Sequence, residues 1–331
     1  MNVVTSHRNS NLDWIRTLAI FLVITVHTWS LAKVSDFPLL QNLYQAFIGC
    51  GVPLFLMISG ALNLSGSVHS FADFYGKRFK RLLIPFLIWA FVVYIISALF
   101  GKYADISSPE DAIKSFIPYL LENKINMAYW YIPLMVILYA FTPFLQKALL
   151  GCSHKVLWNA LGVWLLLLTL RNIYPAVYLL RYTSELLFYA GLYVAGFVIY
   201  NQPKERIKSH QQYIYGVILS LALLMLFIDA TAPTLWRALT CLSAFALLLK
   251  CRLPKNKVIQ NISLYSYAIY LFHMVFIQPL YTLFYFNGTT APLWQCSILP
   301  LMTSVVVLTI CYGVCYAIRE LFKGYKWLGI N

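Results

Sequence analysis

Charged residues are scarce in this sequence, and the acidic ones are the scarcest. The chain of 331 residues contains 11 Asp and Glu against 25 Lys and Arg, and charged residues make up 11% of it. Soluble domains carry roughly 25% charged residues, whereas 61% of this chain is hydrophobic. The composition therefore excludes an ordinary soluble domain and predicts an integral membrane protein.

Paired cysteine motifs are also missing. The chain has seven cysteines, an odd number, with no CxxC pair among them. Most of them lie inside apolar runs, namely Cys241, Cys296, Cys311 and Cys315. This pattern predicts small buried hydrophobic side chains rather than a disulfide framework or a structural metal site, and we expect no bound metal.

Ten apolar runs of roughly 17–25 residues are long enough to cross a bilayer as helices. They lie at about 12–32, 44–64, 82–101, 127–146, 156–172, 183–200, 212–229, 235–250, 262–285 and 293–318. The first run has no small-residue cleavage site behind it, so we expect a retained helix and not a cleaved signal peptide. The sequence thus predicts an all-α, polytopic membrane helix bundle of about ten transmembrane helices.

The distribution of basic residues predicts the orientation of this bundle. With the N-terminus inside, about 18 Lys and Arg fall in the inner loops and about 7 in the outer ones, so both termini are expected in the cytoplasm. These residues are interfacial anchors and explain the net charge of +14 without nucleic acid. The longest outer loop, 102–126, has Pro109 and Pro118 around a possible amphipathic turn of helix. No loop is long enough for a second domain, so residues 1–331 are predicted to form one membrane domain.

The first run contains three ionisable residues that a bilayer disfavours, Asp13, Arg16 and His27. On a helix Arg16 and His27 differ by only about 20° and lie roughly 16 Å apart, and Asp13 is close enough to Arg16 for an ion pair. Intramembrane ionisable groups usually face a bundle interior or a wet cavity, which favours a functional site. The alternative is that Asp13 and Arg16 are interfacial anchors and His27 is a hydrogen-bonded core histidine.

Five stretches, in order along the chain, resemble the acyltransferase-3 family of bacterial membrane O-acyltransferases. The stretch LDWIRTLAIFLVITVHT is similar to the family's first helix, in which an arginine and a histidine separated by ten residues are functional. VPLFLMISGALNL resembles its second helix, and Ser59 and Gly60 there predict close helix packing. The other three are FADFYGKRFKRLLIP, AYWYIPLMVILYAFTP and ISLYSYAIYLFHMVF, and together the matches span roughly 11–285.

This resemblance implies an enzyme of the bacterial inner membrane that crosses it several times. It would move an acyl group, by family default acetyl from acetyl-CoA, to a hydroxyl of a cell-envelope carbohydrate. The expected partners are acetyl-CoA, an envelope glycan or lipid-linked sugar as acceptor, and membrane lipids, with no nucleic acid.

Acyl transfer from a cytoplasmic thioester needs a phosphate site, a path for the donor's arm and a base. Arg78 and Arg81, with Lys77, are expected to bind the donor's phosphates, or else they are routine interfacial anchors. Arg16 would open the path from the same side. His27, as a neutral imidazole, is the expected general base for the acceptor hydroxyl, with Asp13 holding Arg16. The alternative is covalent catalysis through an acyl-histidine intermediate.

The late and the fourth helix supply further donor-site candidates. Ser266, Tyr270 and His273 fall within about 60° of helical arc and form one polar face, which could bind the donor or another helix. Trp130 and Tyr131 are candidates to line the cavity, although packing is the usual role of aromatic residues in a chain this rich in them.

Two other classes of function stay open on the sequence. One is a transporter or flippase of a lipid-linked sugar, with Arg16 and His27 as a proton relay. The lack of an internal repeat or of matched Gly/Pro-broken spans weakens this alternative. The other is a non-catalytic membrane sensor or assembly factor.

Overall fold

The computed structural model describes residues 8–31, 37–66, 68, 70–103, 106, 108–174, 178–202, 209–228, 234–284 and 292–330. Within these ranges the chain is helical and contains no strand. The helices are α1 Ser10–Leu31, α2 Pro38–Ile48, α3 Gly51–Leu64, α4 Phe71–Leu99, α5 Pro109–Leu121, α6 Tyr131–Leu150, α7 His154–Ile173, α8 Tyr178–Tyr200, α9 Ser209–Ile228, α10 Thr234–Lys250, α11 Lys257–Phe272, α12 Met274–Phe284, α13 Leu293–Ser297 and α14 Leu299–Leu321. Short 3₁₀ turns lie at Met127–Trp130 and Tyr325–Leu328.

Each of the ten predicted apolar runs falls on these helices, so the prediction of an all-α bundle is confirmed. Among the described residues, five helical segments combine the length and the apolar character needed to span a membrane. They are Ser10–Leu31, Pro38–Leu64, Phe71–Leu99, Met127–Leu150 and Leu299–Leu321. The total of ten spans and the side of the termini stay predictions.

Three of the predicted runs are interrupted helices. The second breaks between α2 and α3 at Gly49 and Cys50, and the last breaks before Pro300 in the first turn of α14. The ninth breaks at His273, whose side chain bonds the carbonyl of Tyr270 and so competes with the helix for that acceptor. Hydropathy locates such segments well, but it does not register these local breaks.

Helix α4 begins earlier than its apolar run predicts. It starts after Ser70, whose hydroxyl accepts a hydrogen bond from the backbone N–H of Asp73. A Ser cap with an acidic residue in the first turn starts a helix regardless of hydropathy. The basic run that contains Arg78 and Arg81 therefore lies inside α4 and not in front of it.

The predicted turn of helix in the 102–126 loop is a helix of 13 residues, α5. Ser108 caps it through the backbone N–H of Asp111, and Pro109 occupies its first turn. The phenol of Tyr94 in α4 donates to the carbonyl of Ala112, which fastens α5 to the bundle.

Helix α1 is the centre of the bundle, where it packs against α3, α10, α11 and α14. At its start, the side-chain amide of Asn11 donates to carbonyls at the end of α10, including that of Leu248 at 2.9 Å. Near its other end the hydroxyls of Thr28 and Ser304 lie 2.8 Å apart across the contact with α14. Both ends of α1 are thus fixed, which places Arg16 and His27 at defined depths in the bundle.

Helices α3 and α8 approach each other at two glycines. A methyl group at Gly60 would lie 1.7 Å from the carbonyl oxygen of Tyr193, and one at Gly196 would lie 2.0 Å from that of Met57. Only the missing side chains allow backbone-to-backbone contact here. The close packing predicted at Gly60 is confirmed, and its partner Gly196 carried no comparable sequence signal.

Candidate active site

Three arginines converge on one cavity of about 290 Å³ in the part of the chain that the structure describes. Arg16 comes from α1, and Arg78 and Arg81 come from α4. Among the residues that the structure describes, no acidic side chain lines this space, which we call the arginine cavity, so the three guanidinium groups give it a positive potential. Such a cavity suits a ligand that carries phosphate or carboxylate groups.

The walls of the arginine cavity come from five helices, α1, α3, α4, α6 and α11. These helices contain the five sequence stretches that resemble the acyltransferase-3 family. Hydroxyl groups line much of the rest of the cavity, among them those of Ser266, Tyr131 and Tyr270. Arg16, Arg78, Arg81, Ser266 and Tyr270, which were predicted from separate stretches, therefore meet in one place.

Helix α11 holds its cavity-lining hydroxyls by bonds to neighbouring backbone. Tyr267 donates to the carbonyl of Leu82 in α4 at 2.5 Å, and Tyr270 donates to that of Ala128 just before α6. Ser266 donates to the carbonyl of Ser263 in its own helix at 2.9 Å. These bonds hold the rings and the wall of the cavity rigid.

The prediction that Asp13 forms an ion pair with Arg16 is wrong, because Asp13 pairs with Arg8. The buried carboxylate of Asp13 accepts two hydrogen bonds from Arg8, at 2.8 and 2.7 Å, and one from the hydroxyl of Ser263 at 2.7 Å. Side chains in a helix lean toward its N-terminus, so a carboxylate in the first turn reaches the residues that precede the helix. Arg16 lines the arginine cavity instead.

Replacing Arg8 should lower the stability of the protein more than replacing Asp13. Asp13 is 1% exposed, whereas the side chain of Arg8 is 39% exposed. We expect Arg8→Gln, which strands a buried carboxylate, to lower the free energy of unfolding by about 1–3 kcal/mol, and Asp13→Asn to cost less because Arg8 can turn to water. Thermal unfolding of the purified variants measures both, and the double variant should be more stable than Arg8→Gln alone. Equal losses in the two single variants would contradict this asymmetry.

His27 lies in contact with His273 and away from the arginines. The two ring centroids are 5.2 Å apart with 42° between the planes, and His273 is fully buried. Neither histidine lines the arginine cavity, but the ring of Tyr270, which does, has its centroid 6.1 Å from that of His273. Tyr270 therefore stands between the arginines and the histidine pair.

Three predicted donor residues lie outside the arginine cavity, namely His273, Lys77 and Trp130. Lys77 is exposed one turn before Arg81, nearer the start of α4, and does not line the cavity. Trp130 is 39% exposed and packs on Tyr189, with 5.3 Å between ring centroids. The next residue, Tyr131, begins α6 and lines the cavity.

Several cavity residues were not singled out from the sequence. Tyr139 and Tyr267 line the arginine cavity, as do Asn63 and Ser263. The chain contains 24 tyrosines, so tyrosine alone is no signal. Ser263 was accessible to prediction, because it lies three positions before Ser266 and therefore on the same helix face.

A second cavity, of about 240 Å³, lies along the later half of α1. Trp29, Gln45 and Arg237 line it, so α1, α2 and α10 contribute one polar side chain each. The indole Nε1 of Trp29 is buried without a hydrogen-bond partner among the described residues. We call this space the Trp29 cavity.

Comparison with known proteins is consistent with this site. Residues 9–320 match the family described as Acyltransferase domain, and the chain therefore belongs to that family, as its motifs predicted. A relative is the nodulation protein NolL of Mesorhizobium japonicum (strain LMG 29417 / CECT 9101 / MAFF 303099), 25% identical over 231 residues. This match covers 68% of the chain but only 57% of the length of NolL. No solved structure matches the chain.

Proposed function

We propose that this protein is a membrane O-acyltransferase that moves an acetyl group from acetyl-CoA to a hydroxyl of a cell-envelope carbohydrate. The observation that carries the proposal is the meeting of Arg16, Arg78 and Arg81 in a cavity built from the five family-like stretches. A donor with several phosphates matches three guanidinium groups that no acidic residue of the cavity neutralises. The family membership supports the acyl transfer itself.

The arginine cavity binds the donor at one end of α1. Arg78 and Arg81 lie one turn apart on α4 and can bind adjacent phosphates. Each guanidinium can form a bidentate pair of hydrogen bonds with a phosphate, which a lysine ammonium cannot. Its volume of about 290 Å³ lies near the lower end of the usual size of small-molecule sites, roughly 300–1,000 Å³. The cavity therefore holds only part of the donor, including its phosphates, and the arm that carries the acyl group extends beyond the cavity.

His27 supplies the base for the chemical step. Its neutral imidazole takes the proton of the acceptor hydroxyl as that oxygen attacks the thioester carbonyl, a C–O bond forms and the C–S bond breaks. The departing thiolate takes up a proton to give free coenzyme A. Because Arg16 and His27 lie roughly 16 Å apart along α1, the phosphates and the reacting carbon can be held at the two ends of one extended donor.

The Trp29 cavity is the acceptor end in this scheme. It lies along α1 beyond His27. The ring of Trp29 offers a surface on which a sugar can stack, and the amide of Gln45 and the guanidinium of Arg237 can donate hydrogen bonds to the sugar. The unpartnered indole N–H of Trp29 is suited to a hydroxyl acceptor. Envelope glycans and lipid-linked sugars have both features.

The topology that fits this chemistry has ten spans in one domain of residues 1–331. The bundle lies in the inner membrane of a bacterium, and both termini lie in the cytoplasm. The excess of Lys and Arg on the inner side supports this orientation. It places the donor cavity on the side where acetyl-CoA is made and the Trp29 cavity toward the envelope, with membrane lipids around the bundle.

Removing charge from the donor cavity should weaken donor binding. We expect Arg78→Gln and Arg81→Gln each to raise the Kd for acetyl-CoA by about 10- to 100-fold, the equivalent of one lost charge-assisted hydrogen bond. Equilibrium binding of radiolabelled acetyl-CoA to purified protein measures this change.

Lys80→Gln is the matched control, since Lys80 is exposed between the two arginines in sequence and does not line the cavity. It removes the same charge but should change the Kd by less than about threefold. Equal losses in all three variants would reduce the effect to general electrostatic attraction. Unchanged affinity in both arginine variants would contradict the donor site.

A further inference from the structure

His273 occupies an unusual position for a buried histidine. It lies at the break between α11 and α12 and is fully buried. Its Nδ1 lies 2.8 Å from the carbonyl oxygen of Tyr270 and 3.2 Å from that of Ile269. A carbonyl oxygen can only accept, so Nδ1 must carry the proton and Nε2 is left as a bare acceptor.

The Nε2 atom of His273 has no hydrogen-bond partner among the described residues. Buried acceptors are nearly always satisfied, so this orphan atom marks a place where a donor belongs. The ring in contact with His273 on the side of α1 is His27, at 5.2 Å between centroids. Nδ1 is turned back onto α11, which leaves Nε2 as the nitrogen available to that neighbour.

We propose that His273 is a positioning residue for His27, an inference that rests on the proposed role of His27 as base. The two rings are in contact but do not bond each other in this structure; when the His27 ring turns toward His273, its N–H donates to the free Nε2 atom, which fixes the tautomer and ring orientation of His27. The other ring nitrogen of His27 is then unprotonated and free to take the acceptor's proton. The carbonyl of Tyr270 thereby sets the tautomer of His273, which in turn sets that of His27.

The break between α11 and α12 falls at His273, the residue whose imidazole bonds the carbonyl of Tyr270. A continuous helix would use the Tyr270 carbonyl for a backbone N–H, whereas here the imidazole bonds it. The break also links the two parts of the site, because the Tyr270 side chain lines the arginine cavity while its carbonyl orients His273.

Nuclear magnetic resonance of protein labelled with ¹⁵N-histidine tests the pair without relying on activity. The chain has six histidines, and His27→Gln and His273→Gln variants assign the two signals. We expect His273 as the Nδ1–H tautomer and His27 as one defined tautomer in the wild type. In His273→Phe, which removes the acceptor, His27 should become a mixture of tautomers. A wild-type His273 that carries its proton on Nε2 would overturn the proposal.

Kinetics separate positioning from simple packing. His273→Phe should lower the turnover of acetyl transfer by about 10- to 100-fold, the usual effect of losing a supporting hydrogen bond, with the donor Kd unchanged. His273→Gln, which restores an acceptor oxygen, should recover part of the loss, and Leu271→Met, a buried neighbour, should have no effect. Wild-type protein that shows the expected tautomers but no transfer would refute the proposed function and leave the pair intact. Full transfer in His273→Phe would overturn the positioning role alone.

Discussion

His27→Ala and His27→Gln are expected to lower acetyl transfer by about 10²- to 10⁴-fold, the range that general-base catalysis contributes. Neither alanine nor glutamine can take a proton from the acceptor hydroxyl. Saturable binding of acetyl-CoA should persist, because the phosphates are held at Arg16, Arg78 and Arg81 and not at His27. The measurement is transfer of radiolabel from acetyl-CoA in purified wild type and variants.

The control variant is Ile24→Val, a fully buried position one turn before His27 on α1. It should transfer at close to the wild-type rate, because it only removes one methylene group from the core. Thermal unfolding and gel filtration report whether each variant is assembled. Loss of assembled protein in the His27 variants would favour the core-histidine alternative, and full transfer would exclude His27 as the base.

Gly60→Ala is expected to cost more stability than alanine at any other glycine that the structure describes. Its Cβ would lie 1.7 Å from the carbonyl oxygen of Tyr193, and that oxygen is backbone that cannot turn aside. Helices α3 and α8 would have to separate, so we expect a loss of at least about 3 kcal/mol, the upper end of overpacking costs. Thermal unfolding in detergent, or the yield of folded protein, measures the loss.

Gly313→Ala in α14 is the matched control for this substitution. A Cβ there meets nothing within 4 Å, so the methyl group should be neutral or stabilise the helix by up to about 1 kcal/mol. A Gly60→Ala protein that unfolds at the wild-type temperature would contradict the close contact of α3 with α8.

The sequence was sufficient to predict those features of the fold that depend on one helix at a time, such as the position of each apolar segment. Hydropathy located the helical segments because burial in lipid requires long apolar runs. The early start of α4 and the break at His273 depend on side-chain hydrogen bonds at Ser70 and His273, to which hydropathy is blind. Gly60 could be predicted from its small-residue motif, but Gly196 acquires its role only from the helix that faces it.

The charged residues of the site could be predicted from the sequence, but most of the uncharged residues that line the cavity could not. Arg16, Arg78 and Arg81 stand out because charged residues are rare in apolar helices, and the structure brings them together. Tyr139 and Tyr267 do not stand out among 24 tyrosines, since the packing of five helices decides which rings face inward. The predicted partner of Asp13 was wrong because the prediction used helical spacing alone, which allows a contact with Arg16. Side chains in a helix point toward its N-terminus, and this direction favours Arg8.

The proposed dependence of this acyltransferase on acetyl-CoA is tested by equilibrium binding and turnover of radiolabelled acetyl-CoA with the purified wild-type protein in the presence of envelope carbohydrate. We expect saturable binding, release of free coenzyme A and label on the carbohydrate. Absence of donor binding, with a sugar flux that needs no acetyl-CoA, would contradict this dependence and favour a transporter in which Arg16 and His27 relay protons.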